Sequence, residues 1–324
     1  MKRFSNILFV NDSEADATDV FEQTVELAKN NQACLTLVDV VDTVSVRLPV
    51  TSANVTAEKL KEIGASIKQQ KLDELRETLS GTGIKVETKL LFGKPFVEII
   101  REVLAEQRDL LIKPVMKPSS LGQRLLGGTD MKLLRKCPCP VWLVKTTQQD
   151  PYRQVLVGLD YEPENPENDP LNERIMEIST SVALANFSEL HVVHAWRFEH
   201  ESFFRSPRAG LTPGEVDDII EAEAHARRRW LNDTVAKSCE KHGPEAAAYL
   251  NPHIHLIQGE ATEVVCECAK RIGAELVILG TVARTGIPGL IMGNTAEAIL
   301  HQIDCSVLAI KPSGFISPIT LETR

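Results

Sequence analysis

Residues 110–145 align without a gap to residues 276–311, at a constant offset of 166. Eight of the 36 aligned positions are identical: Leu110/Leu276, Ile112/Ile278, Gly127/Gly293, Thr129/Thr295, Leu134/Leu300, Cys139/Cys305, Val141/Val307 and Lys145/Lys311. Ordinary composition would give about two by chance. The same offset relates Gly93 to Gly259. Earlier in the chain the order is kept while loop lengths vary. Ile7-Leu8-Phe9-Val10-Asn11-Asp12 answers Val155-Leu156-Val157-Gly158-Leu159-Asp160, and Leu35-Thr36-Leu37-Val38 answers Leu190-His191-Val192-Val193. A chain that repeats itself in this way folds as two similar units. The 324 residues divide near Gln148-Gln149-Asp150-Pro151 into domains 1–148 and 149–324, in keeping with about 150 residues per domain.

Each half reads as five strands separated by four helices. Strands are expected near 6–10, 34–41, 85–92, 109–113 and 140–145, and again near 153–159, 189–196, 252–258, 275–279 and 305–310. Their Val/Ile/Leu runs are continuous rather than alternating, the pattern of parallel strands buried on both faces. Glu58–Leu79 and Glu215–Cys239 carry helical periodicity, and Thr212-Pro213-Gly214-Glu215 reads as a capping box with proline at the first helical position. Alternating strands and helices imply an α/β fold, a doubly wound parallel sheet in each half. Ligands of such sheets bind beyond the carboxyl ends of the strands, at the switch point.

Composition excludes several classes. A net charge of −9 and 5% aromatics speak against a basic nucleic-acid face or an extended base-stacking platform. No run approaches the ~18 apolar residues of a membrane span, and Met1-Lys2-Arg3-Phe4 leads straight into a strand without a signal-peptide pattern. The expectation is a cytoplasmic protein with neither nucleic-acid nor membrane partners. Seven cysteines, an odd number, with only Cys-x-Cys pairs at 137/139 and 266/268, read as reduced structural thiols.

The second half carries the candidate site. Gly280 ends a strand, and Thr281 to Gly293 then lead into a helix through Arg284, Gly286 and Gly289. Glycines let backbone approach a phosphate, a helix start at Asn294-Thr295 offers free N–H groups, and Arg284 adds charge. Asp160 ends the first strand, where a carboxylate accepts from a ribose hydroxyl or a base amino group. The same glycines serve any strand-to-helix turn, and Asn and Thr are ordinary caps.

These residues resemble the universal stress protein family, and the chain looks like a tandem member of the E type. The family pattern is Gly-x2-Gly-x9-Gly-(Ser/Thr) after the fourth strand, with an aspartate ending the first. Here it reads Gly280-x2-Ala283-x9-Gly293-Asn294, with Asp160 in place. The resemblance implies an adenine-nucleotide-hydrolase-like sheet of strand order 3-2-1-4-5 in each half. It also implies an intramolecular pair formed by strands 141–145 and 307–311. It assigns phosphate or nucleotide contacts to Asp160, Val193, Gly280, Arg284, Gly293, Asn294 and Thr295, with ATP or AMP as the ligand and no metal. Ala283 and Asn294 depart from the pattern. The first half departs further: Pro114 aligns with Gly280, Lys117 with Ala283 and Gly128 with Asn294, while Asp12, Gly127 and Thr129 remain. Proline offers no N–H, so the first half reads as a degenerate loop serving as scaffold, with Lys113 and Lys117 as solvated lysines. The implied function is a cytoplasmic stress-response protein, a binding and regulatory module rather than an enzyme. The alternatives are a slow ATP hydrolase and a nucleotide-free interaction protein.

Other features read more plainly. Long connections follow each second strand, with Val44, Val46, Leu48 and Val50 in the first and Phe198, Phe203, Phe204, Arg205, Arg208 and Leu211 in the second. They read as packing on the domain edge, or as lids over a ligand. His253 and His255 share a strand face near His191 and His194, without a Cys or carboxylate at ligand spacing, so no metal site is expected. Arg227-Arg228-Arg229-Trp230 reads as a solvated helix face.

Overall fold

A computed structural model describes residues 4–11, 17–42, 57–115, 126–146, 152–161, 169–281 and 292–321. Its contacts gather into two compact units, Met1–Asp150 with Thr281–Asn294 and Asp304–Arg324, and Pro151–Gly280 with Thr295–Ile303.

The first unit begins β1 (Asn6–Val10), α1 (Thr18–Asn31), β2 (Cys34–Val41), α2 (Ala57–Thr78) and β3 (Val86–Phe92). It continues α3 (Pro95–Ala105), β4 (Leu110–Val115), α4 (Gly128–Lys136) and β5 (Val141–Lys145). The strands stand in the order β3-β2-β1-β4-β5, all parallel. β1 is the hub: Ile7 lies opposite Leu35 on one side and Leu110 on the other. Ile7, Leu8, Leu35, Leu37, Leu110 and Leu111 are fully buried, each contributing about 1.5–3 kcal/mol of burial.

The second unit holds β6 (Gln154–Gly158), α5 (Asp169–Asn186), β7 (Glu189–Trp196), the short α6 (Glu201–Phe204) and α7 (Pro213–Glu240). Then come α8 (Pro244–Leu250), β8 (His253–Gln258), α9 (Ala261–Ile272), β9 (Leu276–Gly280) and α10, which runs Asn294–Gln302. Strands β9-β6-β7-β8 repeat the parallel order of the first unit. The interior strands are buried on both faces, whereas β3 and β8, at the edges, are only half-buried. α7 starts as its sequence dictates: Thr212 Oγ1 accepts the Glu215 N–H at 3.3 Å, and a Glu215 carboxylate oxygen accepts the Thr212 N–H at 2.8 Å. The bonds that this carboxylate accepts from the Thr212 N–H and the Thr212 hydroxyl hold it below its usual range. α6 and α8 lie outside the four-helix expectation, inserted before and after α7.

The last strand, β10 (Ser306–Ile310), belongs by its contacts to the first unit, so the second repeat does not keep all five strands to itself. It runs antiparallel to β5, with Val307 opposite Leu143, Leu308 opposite Trp142 and Ala309 opposite Val141. Lys145 reinforces the seam, its N–H donating to Ser306 Oγ at 3.0 Å and its ammonium to Asp304 Oδ1 at 2.7 Å. Lys311 falls one residue beyond the strand. It is buried, donates to the Leu134 carbonyl and to Thr281 Oγ1, and burial pushes its pKa down to about 8.

The repeat is also written in backbone geometry. Gly93 (φ +145°) donates its N–H to Val41 O at 3.1 Å, and Gly259 (φ +156°) donates to Trp196 O at 2.9 Å. A Cβ at Gly93 would lie 2.7 Å from Glu98 Oε1, and one at Gly259 would lie 2.9 Å from Val264 Cγ2. Glycine is required at both positions. Gly259→Ala is expected to lower stability by about 1–3 kcal/mol. Gly64→Ala, within α2 and with nothing near its added methyl, should raise it by about 0.5–1 kcal/mol. Urea unfolding of the two variants checks the contrast; equal shifts would refute it.

Candidate functional site

In the second unit β6 pairs with β7 on one side and β9 on the other, so Gly158 lies opposite both Val193 and Leu279. This is the switch point of the sheet: Asp160 follows β6 and Gly280 ends β9 at their carboxyl ends, while Val193 lies three residues before the end of β7. Asp160 is exposed. Its backbone is clamped by the buried Asn172 of α5, whose Oδ1 accepts the Asp160 N–H at 3.2 Å and whose Nδ2 donates to its carbonyl at 2.7 Å. Val193 is fully buried, and its carbonyl accepts the Leu159 N–H at 3.0 Å. A Cβ on Gly280 would meet Leu171 Cδ2 at 3.1 Å and Ile175 Cδ1 at 3.4 Å, so this glycine lets α5 pack closely on the strand end. Gly293 donates its N–H to Thr281 O at 3.3 Å. Asn294 and Thr295 are the first two residues of α10, both exposed. Arg284 and Ala283 lie outside the described residues.

Beside Asp160 stands a cluster that the sequence reading missed. Only Arg228 and Arg229 of the arginine run are exposed; Arg227 and Trp230 turn inward, which corrects the solvated-face reading. Trp230 stacks on Tyr161 with ring centres 4.6 Å apart. The Arg227 guanidinium lies 5.6 Å from the Tyr161 ring and 5.5 Å from the Trp196 ring, and Glu223 pairs with it at 2.7 Å. It donates to the Tyr161 carbonyl at 3.3 Å and to His194 Nε2 at 3.2 Å. His194 Nδ1 in turn donates to Leu159 O at 3.1 Å. That pair of bonds fixes His194 as the neutral Nδ1–H tautomer. Burial, opposed by the Leu159 bond and helped by Arg227, pushes its pKa down to about 4. The Arg227 Nε is buried without a hydrogen-bond partner among the described residues.

The first unit uses the same places differently. At the end of β2 the buried Asp39 pairs with Lys68 of α2 and accepts from Asn11 Nδ2 at 3.0 Å; burial outweighs these bonds and raises its pKa. At the start of α4 the Asp130 carboxylate accepts the Gly127 N–H at 2.9 Å, and Lys113 lies 3.2 Å from its other oxygen, both side chains buried. Lys113 is therefore not a solvated lysine. Asp12 and Lys117 lie outside the described residues.

Of the long connections, Val44 to Val50 lies outside the described residues. In the second, Phe204 packs on Phe198 and Phe203, and Arg205 bridges Glu201 and Asp217, each at 2.8 Å. The segment packs largely on itself, leaving Phe203 54% exposed. The histidines are closer than expected. His191 and His253 are register partners with rings stacked 4.7 Å apart, and His191 Nδ1 meets His255 Nε2 at 3.0 Å. Glu189, two residues before His191 on the same strand face, brings a carboxylate oxygen to 3.9 Å of His191 Nε2. The expectation that no carboxylate stands at ligand spacing is thus corrected; the signal was the alternation Glu189-Leu190-His191. Burial, with His253 and His255 adding to it, lowers the His191 pKa to about 4.

Both lowered histidines make stability pH-dependent. Between about pH 4 and 6.5 the unfolded chain binds protons that folded His191 and His194 refuse, so stability climbs with pH across that window. His194 alone accounts for at most about 1.4 kcal/mol per pH unit. The urea midpoint should fall on acidification from pH 7 to 4.5, and less steeply in His194→Gln; an unchanged slope in that variant would refute the assignment.

The model of the universal stress protein family matches this chain twice, over residues 3–145 and 151–311. Universal stress protein E of Escherichia coli K12 is 30% identical over 244 residues, 74% of this chain and 72% of that protein. Universal stress protein E of Photorhabdus laumondii is 27% identical over 328 residues, 98% of each chain. Among solved structures, a universal stress protein of Pseudomonas aeruginosa UCBPP-PA14 covers 97% of this chain and 95% of its own at 23% identity, with a TM-score of 0.65. One from Archaeoglobus fulgidus covers 95% and 98% at 17% identity and a TM-score of 0.59. The crystallised pair supports the α/β fold, and the two matches, one on each repeat, establish that the chain belongs to the universal stress protein family as a tandem member akin to the E-type proteins.

Proposed function

We propose that the chain is a stress-response binding and regulatory module that takes a phosphate-bearing small molecule, ATP or AMP in the first instance, in its second repeat. Asp160 and the Val193 backbone would meet the nucleoside; Gly280, Arg284, Gly293, Asn294 and Thr295 would meet the phosphates. The observation that carries the reading is the exposed Asp160, clamped by Asn172 at the switch point between β6, β7 and β9.

A contrast between the repeats supports the choice of the second. In the first, Asp130 fills the start of α4 with the protein's own carboxylate, neutralised by Lys113. Position 130 aligns with Ala296, and residues 281–296 contain no Asp or Glu. The place that Asp130 holds in the first repeat is therefore uncharged at the start of α10, whose first-turn carboxylate, Glu297, lies one residue further on and faces His301 at 3.7 Å.

Thermal unfolding with added ATP or AMP tests the reading. At 100 times its dissociation constant a nucleotide should stabilise the fold by about 2.7 kcal/mol. Arg284→Ala and Asp160→Asn should abolish the gain, with phosphate release no faster than in buffer. No stabilisation by either nucleotide would overturn the proposal and favour a nucleotide-free interaction protein. Phosphate release lost in Asp160→Asn would make the chain a hydrolase.

A further inference from the structure

We infer that Glu189, His191 and His253 form a binding site for one divalent transition-metal ion of the zinc class, at the amino-terminal ends of β7 and β8. This is the opposite end of the unit's sheet from Asp160, so the site is separate from the proposed nucleotide site.

The placement follows from strand geometry. Side chains two apart on a strand share a face, so Glu189 and His191 point the same way. Parallel pairing of β7 with β8 sets His253 directly opposite His191, on the same face. The ligating atoms of the three lie within 4.8 Å of one another. Around an ion with bonds of about 2.1 Å, tetrahedral ligands stand about 3.4 Å apart. The difference is small for rotation of Glu189 and His253, which are both exposed. His253 begins the edge strand β8 and Glu189 begins β7, which leaves the site open to solvent and to an entering ion.

His191 is the fixed member. It is buried, and its Nδ1 faces His255 Nε2 at 3.0 Å. The Gln154 amide oxygen can only accept, so His191 carries its proton on Nε2 and its Nδ1 accepts from His255 Nε2–H; a metal ion at Nε2 takes the place of that proton as the His191–His255 bond reverses. Nε2 is the nitrogen that faces Glu189 at 3.9 Å and the Gln154 amide oxygen at 2.9 Å. Gln154 also donates from Nε2 to Glu189 Oε2 at 3.0 Å, which orients the carboxylate. Two imidazoles and one carboxylate suit zinc, cobalt, nickel or copper, whereas calcium and magnesium demand oxygen donors throughout. Three protein ligands leave a coordination position open, beside the Gln154 amide.

Cobalt(II) titration of the intact, reduced chain is the test, with zinc as competitor. The expected result is one cobalt per chain, with visible d–d bands, no sulfur-to-cobalt charge-transfer band, and full displacement by zinc. His253→Ala and Glu189→Gln change exposed side chains, and each should weaken binding about tenfold or more while circular dichroism stays unchanged. Zinc should raise the unfolding temperature of the parent chain and not of His253→Ala. Absence of cobalt binding, binding unaltered by His253→Ala, or a sulfur charge-transfer band placing the ion on the cysteines would each overturn the inference.

Discussion

Everything in each repeat depends on one strand being hydrogen-bonded on both sides. β1 runs between β2 and β4, and β6 between β7 and β9, with Leu8 opposite Thr36 and Leu111, and Leu156 opposite His191 and Val277. A strand so placed must be apolar on both faces, and the chain must wind outward from it in both directions. The winding opens a crevice at the carboxyl end, where helices on the two sides diverge. The residues that follow the hub strand therefore reach a ligand-accessible position by topology alone.

On that common frame the repeats have diverged at the strand ends rather than in the core. Where β2 meets α2, a carboxylate and an ammonium close the crevice; where β7 meets α7, a neutral imidazole and a guanidinium stand among three aromatic rings. The first arrangement is internally neutral. The second is neutralised by Glu223 and leaves the buried Arg227 Nε–H without a partner among the described residues, beside the exposed Asp160. Both repeats keep buried polar atoms without partners among the described residues, Thr36 Oγ1 and Arg108 Nε in the first and Arg227 Nε in the second, so the repeats differ in which residues stand at the strand ends rather than in how completely they are satisfied.

The fold was legible because continuous β-branched and leucine runs admit little besides buried parallel strands, and the observed strands fall within two residues of the expected ones. The capping box at Thr212 was legible for a similar reason, since its chemistry is local. What escaped was contact between residues far apart in the chain. The run of arginines does not reveal which one turns inward; that depends on the phase of a 28-residue helix against the end of β7. Lys113 passed for a solvated lysine because its partner, Asp130, is brought near only by α4. The histidines became a cluster through register, which no spacing along one strand reports. The Gly280 to Thr295 connection was legible as a pattern, and Arg284 within it rests on that pattern.

The antiparallel seam between β5 and β10 bears on how such a chain could be divided. A piece ending after β5 would expose the edge from Val141 to Leu143, with its backbone groups unpaired and apolar side chains on both faces. Such an edge is a template for any strand of like pattern, and β10 is a strand of that kind, apolar from Val307 to Ile310 as β5 is from Val141 to Val144. Severed halves would meet as separate molecules and pair by encounter, at the mercy of concentration. Joined in one chain, the two edges find each other at an effective concentration set by the tether, and assembly becomes part of folding.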